Sequence, residues 1–311
     1  MEYEKTVRLL HLYQDFSGGK PVQKKAAADR FGVNERSIQR DIEDLRCFFE
    51  SENPPGEIVY DPRQKAYRLI VHDSDHLSNS EVLAVCKILL ESRSLRKDEL
   101  MPILDKLVSR CVPTENRAAV IDLLANEKFH YIEPQHKKHI LDGLWEIGQA
   151  IQKHLVMEIS YTKLKSPEPV QRTIEPVGLM FSEYYFYLVA FIRDIDRTEA
   201  FENPDDLFPT IYRIDRIQSF KVLDEHFSVP YKDRFQEGEF RKRVQFMYGG
   251  KLEKIRFRYT GPSLEAVLDR LPTARVIEEH PDGWIVEAEV FGKGIEMWMR
   301  SQGSFVTMET G

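Results

Sequence analysis

The chain has 311 residues, 42% of them hydrophobic and 31% charged, and a formal net charge of −7. That composition excludes a largely disordered chain and leaves apolar material for two or three cores; the net acidity argues against a protein coated with nucleic acid. No apolar run reaches the eighteen or so residues of a spanning helix, and the opening Met-Glu-Tyr-Glu-Lys lacks a signal-peptide pattern, so a cytoplasmic protein without a membrane partner is expected.

Residues 4–16 place Val7, Leu10 and Tyr13 at helical spacing, and Gly18-Gly19 closes that helix. A second short helix, rich in Ala, is predicted over 22–31. Gly32 then stands where a tight turn needs a positive φ. Asn34 is a good N-cap for a third helix over 35–49. After Pro54-Pro55-Gly56, residues 57–60 and 66–71 read as the strands of a hairpin joined by Asp61-Pro62-Arg63-Gln64-Lys65. Three helices and a hairpin in about seventy residues is the layout of a winged helix-turn-helix, expected over 1–72.

Residues 73–135 read as a helical connector, with an N-terminus at Ser80-Glu81 and with Pro102 and Pro113 as punctuation. A further helix is predicted over 136–154. The period then changes: 156–164, 173–181, 184–192 and 209–223 are dense in β-branched and aromatic residues, with a loop at 203–209. A small barrel or sandwich is expected over 136–228. In 240–311, strands at 252–259, 274–279, 284–291 and 305–308 and helices at 262–271 and 294–301 give the β-α-β-β-α-β order of a ferredoxin-like block. The fold class is multidomain α+β.

On a helical wheel the third helix gathers Ile38, Ile42, Leu45 and Phe49 on one face, which must pack against the first two helices. The opposite direction carries Arg36 and Arg40, with Cys47 and Glu43, flanked by Ser37 and Gln39. Arg can bond guanine twice and Gln can pair with adenine, so this face has the chemistry of major-groove reading. Lys24, Lys25, Arg63 and Lys65 are candidates for phosphate contacts. The alternative is an amphipathic helix with a solvated charged face. Residues 1–72 hold twelve Lys/Arg and twelve Asp/Glu, but 20–46 hold seven against five, so the reading region is locally less acidic than the chain.

The run AAADRFGVNERSIQRDIEDL resembles the helix-turn-helix of bacterial WYL-domain transcriptional regulators, whose recognition helices match Arg36, Ser37, Ile38, Gln39, Arg40 and Asp41. A second, independent resemblance lies in the β region. Arg172 precedes Pro176, then come Phe186-Tyr187-Leu188 and Tyr212-Arg213-Ile214-Asp215-Arg216-Ile217, with Tyr161 on the first strand. Phe186 stands where the family has Trp; it keeps a ring and loses the indole donor. The block through Met297-Trp298-Met299-Arg300-Ser301-Gln302-Gly303 is similar to the family's C-terminal extension. The resemblance implies a small Sm-like barrel as sensor, with nucleotides or nucleic-acid fragments as ligands.

Tyr161, Arg172, Tyr187, Tyr212, Arg213 and Arg216 together supply guanidinium groups for phosphate or carboxylate and aromatic faces for bases. The competing reading makes the aromatics core and pairs the arginines with local acids such as Glu175 and Asp215. The three cysteines, Cys47, Cys86 and Cys111, lack C-x-x-C spacing, and His130, His136 and His139 make a weak case for metal. No glycine-rich phosphate loop and no G-x-S-x-G occurs, so no cofactor and no catalysis are expected. The expected partners are a double-stranded operator with inverted-repeat symmetry, a small anionic or single-stranded nucleic-acid ligand, and a second copy of the chain. The other hypothesis is a single-strand sensor or adaptor for which duplex docking is secondary.

Overall fold

The computed structural model describes residues 4–51, 56–71, 77–164, 166, 168–194, 209–228 and 235–309. The predicted loop at 203–209 lies, apart from Pro209, outside them. The chain divides into two compact units, Met1–Arg93 with Lys97–Ile132, and Ser94–Arg96 with Glu133–Gly311.

The first unit begins with helices α1 (Lys5–Ser17), α2 (Lys24–Phe31) and α3 (Glu35–Ser51), then strands β1 (Gly56–Asp61) and β2 (Ala66–Val71). Gly32 ends α2 at φ 68, ψ 31, a left-handed conformation that glycine adopts without a steric cost. The Asn34 side chain accepts from the Ser37 amide at 2.8 Å and caps α3. Ile38, Ile42, Leu45 and Phe49 are buried with Leu12, Phe16 and Phe31. Complete burial of Ile38 and Ile42 (both 0% exposed) stabilises the packing by about 1.5–3 kcal/mol each. β1 and β2 pair antiparallel, Gly56 opposite Val71. Val22, read from sequence as the start of a helix, instead bridges to Tyr67 through two backbone bonds of 2.8 Å and ties the hairpin to α2.

Three helices follow, α4 (Asn79–Ser92), α5 (Lys97–Cys111) and α6 (Thr114–Phe129). The start of α4 is a capping box built by Ser78 and Glu81, two residues earlier than predicted. Pro113 precedes α6, but Pro102 lies inside α5 and does not end it. Buried Leu100, Leu104 and Val108 hold that helix across the proline.

In the second unit, α7 (Leu141–Gln152) is shorter than the predicted 136–154: a turn at 135–136 and irregular backbone precede it, with Lys137 at φ 53. Five strands follow: β3 (Leu155–Thr162), β4 (Pro169–Ser182), β5 (Tyr185–Ile192), β6 (Thr210–Arg213) and β7 (Ile217–His226), with a 3-10 turn at Ile214–Arg216 between the last two. They form one antiparallel sheet in the order β6-β5-β4-β3-β7. Among the described residues β6 and β7 are its two edges and do not pair, so the expected Sm-like barrel is an open sheet here. The register shifts between Pro176 and Gly178, where proline has no amide to give to the ladder. One face packs Ile147 and Ala150 of α7 on Met157, Ile159, Ile174, Leu188 and Tyr212.

The other face packs Met180 and Val189 on Phe240 of α8 (Glu237–Arg243), a helix the sequence reading left unassigned. The chain ends in β8 (Leu252–Tyr259), α9 (Leu264–Arg270), β9 (Arg275–His280), β10 (Gly283–Phe291), α10 (Gly294–Ser301), a 3-10 turn at Gly303–Phe305 and β11 (Val306–Met308). These four strands make an antiparallel sheet in the order β11-β8-β10-β9. Phe257, Val286 and Trp298 sit in its core. Overall this is a mixed α/β multidomain protein with several antiparallel sheets.

Candidate functional site

On α3, Arg36 and Arg40 are exposed and make no hydrogen bond or ion pair with the described residues. Ser37 is half-buried beside the cap, its hydroxyl 3.1 Å from the Asn34 side-chain oxygen. Gln39 is not free: its amide donates to Glu43 at 2.9 Å and its oxygen accepts from the Tyr67 hydroxyl at 3.0 Å. Glu43 in turn pairs with Arg46 at 2.7 Å, and Arg46 donates to the Ile58 carbonyl at 2.9 Å. Tyr67, which sequence reasoning did not single out, therefore joins the hairpin to the middle of α3. Lys24 stands 5.8 Å from the centre of its ring, and Gln23 reaches the Gln64 carbonyl at 3.3 Å. The first turn of α2, one side of α3 and the hairpin tip thus meet around Tyr67.

The cations of this part of the first unit sort into two groups. Lys5 pairs with Asp44, Arg8 with Asp41, and Lys20 and Arg30 with Asp15. Lys25, Arg36, Arg40 and Lys65 have no such partner among the described residues, and Arg63 bonds only through its backbone amide, to Asp61 at 2.8 Å. A net charge of zero over 1–72 hides this segregation. Asp41, part of the run that resembles the family's recognition helix, faces away from that surface. It is 1% exposed and pairs through both oxygens with Arg8, itself 7% exposed. Its role is to fasten α3 to α1.

The six residues singled out in the β region do not form one site. Tyr187 and Leu188 are neighbours on β5 and point to opposite faces. Tyr212 lies opposite Leu188 and shares its face, packing edge-on against Tyr161 at 4.9 Å. Arg172 stands close enough to Tyr212 for its charge to act on the phenol, while its guanidinium donates to the Gln171 carbonyl at 2.9 Å. Burial pushes the Tyr212 phenol above its ordinary range; its hydroxyl is buried and lacks a well-formed hydrogen bond, although Thr210 lies near.

On the opposite face Tyr187 pairs across the strands with Arg213. Arg213 lies 3.4 Å from the centre of the Tyr185 ring and makes two bonds to Asp215, at 2.8 and 3.1 Å. Desolvation pushes the Tyr187 phenol up to about 12 despite nearby Arg213, so it is a neutral donor at physiological pH. Arg216, in the 3-10 turn, is half-buried without a hydrogen-bonding or ionic partner among the described residues. Tyr185 and Asp215 complete the second cluster. The signal for Tyr185 was its two-residue spacing from Tyr187, which puts both on one face. Glu175 pairs with Arg193 at 2.6 Å and with none of the six.

One face thus offers a buried phenol beside Arg172, and the other an arginine stacked on tyrosine and neutralised by aspartate. Residues 143–222, which contain both, match the family model described as the WYL domain. No curated protein matches. Among solved structures, Proteasome accessory factor B/C (PafBC) of Arthrobacter aurescens is similar at 15% identity and a TM-score of 0.30, over 99% of this chain and 44% of that one. The chain therefore spans less than half the length of that relative. A structure described as a CRISPR Cas-related protein is similar at 16% identity and a TM-score of 0.37, over 77% of this chain and 70% of its own. Among the described residues no helix is long and apolar enough to cross a membrane.

Proposed function

We propose that the protein is a sequence-specific DNA-binding transcriptional regulator whose WYL domain senses a small anionic or nucleic-acid ligand. Residues 1–72 act as a winged helix-turn-helix: α3 enters the major groove and the β1–β2 hairpin is the wing. The observation that carries this reading is the sorting of charge. Lys5, Arg8, Lys20 and Arg30 are paired internally with Asp44, Asp41 and Asp15, while Lys25, Arg36, Arg40, Arg63 and Lys65 have no acidic partner among the described residues. Arg36 and Arg40 read bases; Lys24, Lys25, Arg63 and Lys65 hold phosphates. Gln39, clamped by Tyr67 and Glu43, sets the angle between wing and helix and reaches a base only if that clamp opens.

The regulator works in the cytoplasm as a homodimer on an inverted repeat and catalyses nothing. Tyr161, Arg172 and Tyr212 form the half of the WYL sheet best suited to a ligand, since Arg213 is already neutralised by Asp215. Ligand and operator then alter each other's affinity by the same factor.

The test is fluorescence anisotropy of the protein on its own upstream DNA against scrambled duplex, over a salt series, with Arg36→Ala/Arg40→Ala alongside. Preference for the upstream duplex, a steep salt dependence and loss of that preference in the double variant are expected. Duplex binding unchanged by the double variant would remove α3 as the reading helix. Tight binding of single-stranded oligonucleotides with no duplex preference would favour the sensor or adaptor reading.

A further inference from the structure

A cavity of about 230 Å³ in the second unit is bordered by Ser182 and Glu183 of the β4–β5 turn, Arg241 of α8, Gln245 and Phe246 just beyond it, and Arg270 at the end of α9. It is smaller than the roughly 300–1,000 Å³ of sites for drug-sized molecules, so its occupant is compact. None of the six sheet residues borders it.

Its walls are held in backbone conformations that ordinary residues avoid. Tyr248 donates to the Gln245 carbonyl at 3.1 Å and closes a tight turn in which Phe246 and Met247 have φ of 50 and 56. Glu183, in the two-residue turn between β4 and β5, has φ 56. Such positions favour Gly, Asn or Asp, and other residues remain there only where packing over-determines them. Buried Val244 and Met247 supply that packing. The result is a rigid cradle: the Phe246 ring lies 5.1 Å from the Arg270 guanidinium, and Gln245, 4% exposed, turns its amide toward the Arg270 carbonyl at 3.5 Å.

The donors in the cradle are under-used. The Arg270 Nε is buried without a hydrogen-bond partner among the described residues, and its terminal nitrogen reaches Glu183 at 3.2 Å. Both side chains of that pair are 37% exposed, and ion pairs in such a setting are weak enough to be exchanged. Arg241 donates to the Phe181 carbonyl, which fixes its guanidinium at the rim. Two guanidinium groups from separate helices, with the Ser182 hydroxyl and the Gln245 amide, match a tetrahedral oxyanion. Asp269 also borders the cavity, so an incoming ligand meets two carboxylates and needs more than one negative charge to displace Glu183.

We propose that this cradle binds a phosphoryl group, and that Glu183 is the internal anion holding Arg270 until the ligand arrives. Binding exchanges the Glu183–Arg270 pair, which links the β4–β5 turn to α9, for two charge-assisted contacts with the phosphate. The site does not depend on the DNA-reading assignment.

The experiment is isothermal titration calorimetry of the full chain with phenyl phosphate, and with benzoate as the monoanionic counterpart, for the wild type, Glu183→Gln, Arg270→Gln and Arg241→Gln. Phenyl phosphate is expected to bind and benzoate to bind much more weakly. Arg270→Gln should weaken phenyl phosphate about tenfold or more, and Arg241→Gln should weaken it as well. Glu183→Gln should tighten it several-fold, because it removes the competitor and keeps the turn. Both Glu183→Gln and Arg270→Gln break the same ion pair, so a purely structural role moves them in the same direction. Equal weakening by the two, benzoate binding as tightly as phenyl phosphate, or no heat from either probe at millimolar concentration would each overturn the proposal.

Discussion

The α3 helix and the WYL sheet present opposite outcomes of one kind of inference. On α3 the exposed set Arg36 and Arg40 and the buried set Ile38, Ile42, Leu45 and Phe49 come from a single element, and their angular separation follows from 3.6 residues per turn. In the sheet, the six residues come from four strands and a 3-10 turn, and the pairing of the strands decides who meets whom. That pairing sends Tyr161, Arg172 and Tyr212 to one face and Tyr187 and Arg213 to the other. A composite site assembled from strands is legible only once register is known, because a shift of one residue reverses every side chain.

The contrast can be broken most forcefully at the Arg8–Asp41 pair, which the helical wheel missed. Asp41→Ala should destabilise the first unit by about 3–5 kcal/mol, since it removes the carboxylate that takes two bonds from the buried Arg8 guanidinium. Arg8→Met/Asp41→Leu should recover most of that loss. Urea unfolding followed by tryptophan-independent circular dichroism of both variants checks the pair; equal stability of Asp41→Ala and wild type would mean the ion pair contributes nothing.

A smaller effect is expected at the exposed arginines. Arg36→Ala or Arg40→Ala alone should cost duplex binding about 1–3 kcal/mol and leave the unfolding midpoint in place. Anisotropy and thermal unfolding on the same preparations separate the two roles, and a fall in midpoint would make these residues part of the scaffold.

In the C-terminal sheet, Glu287 is buried on β10 and bonded by Arg275 at 2.6 Å and by Arg256 at 2.9 Å. These bonds hold its carboxyl down at about 2, below its ordinary 4.5. The stabilisation is therefore complete above pH 4.5 and is lost as pH falls through about 2. Glu287→Gln should lower stability at neutral pH and flatten the acid limb between those values. An acid limb parallel to that of the wild type would show that the carboxylate is not held.

The smallest expected change is at Tyr212. Its buried hydroxyl lacks a well-formed bond, so Tyr212→Phe should alter stability by less than about 1 kcal/mol. If that side of the sheet holds the ligand, the same variant weakens ligand binding while stability stays level. A destabilisation of about 1–3 kcal/mol, the cost of leaving the partner of a buried hydrogen bond unsatisfied, would show that the phenol is already bonded.

Much of the element order was legible from periodicity and turn residues: three helices and a hairpin, then helices, then two β-rich blocks, with 252–259 and 294–301 matched to the residue. Asn34 and Gly32 announced their roles because caps and left-handed turns depend on one residue's own chemistry. What the sequence determined by itself was set within a few residues along the chain: the core face and exposed cations of α3, the Asn34 cap and the Gly32 turn, whereas the start of α4 fell two residues from its predicted place. Only the tertiary structure decided that Gln39 is clamped by Tyr67, that Asp41 is buried against Arg8, that α5 runs through Pro102, that the five-stranded sheet stays open, and that Arg270 and Arg241 meet at one cavity. Each of these depends on which distant segments come into contact. That choice is made by burial and register over the whole fold, and local periodicity carries no record of it.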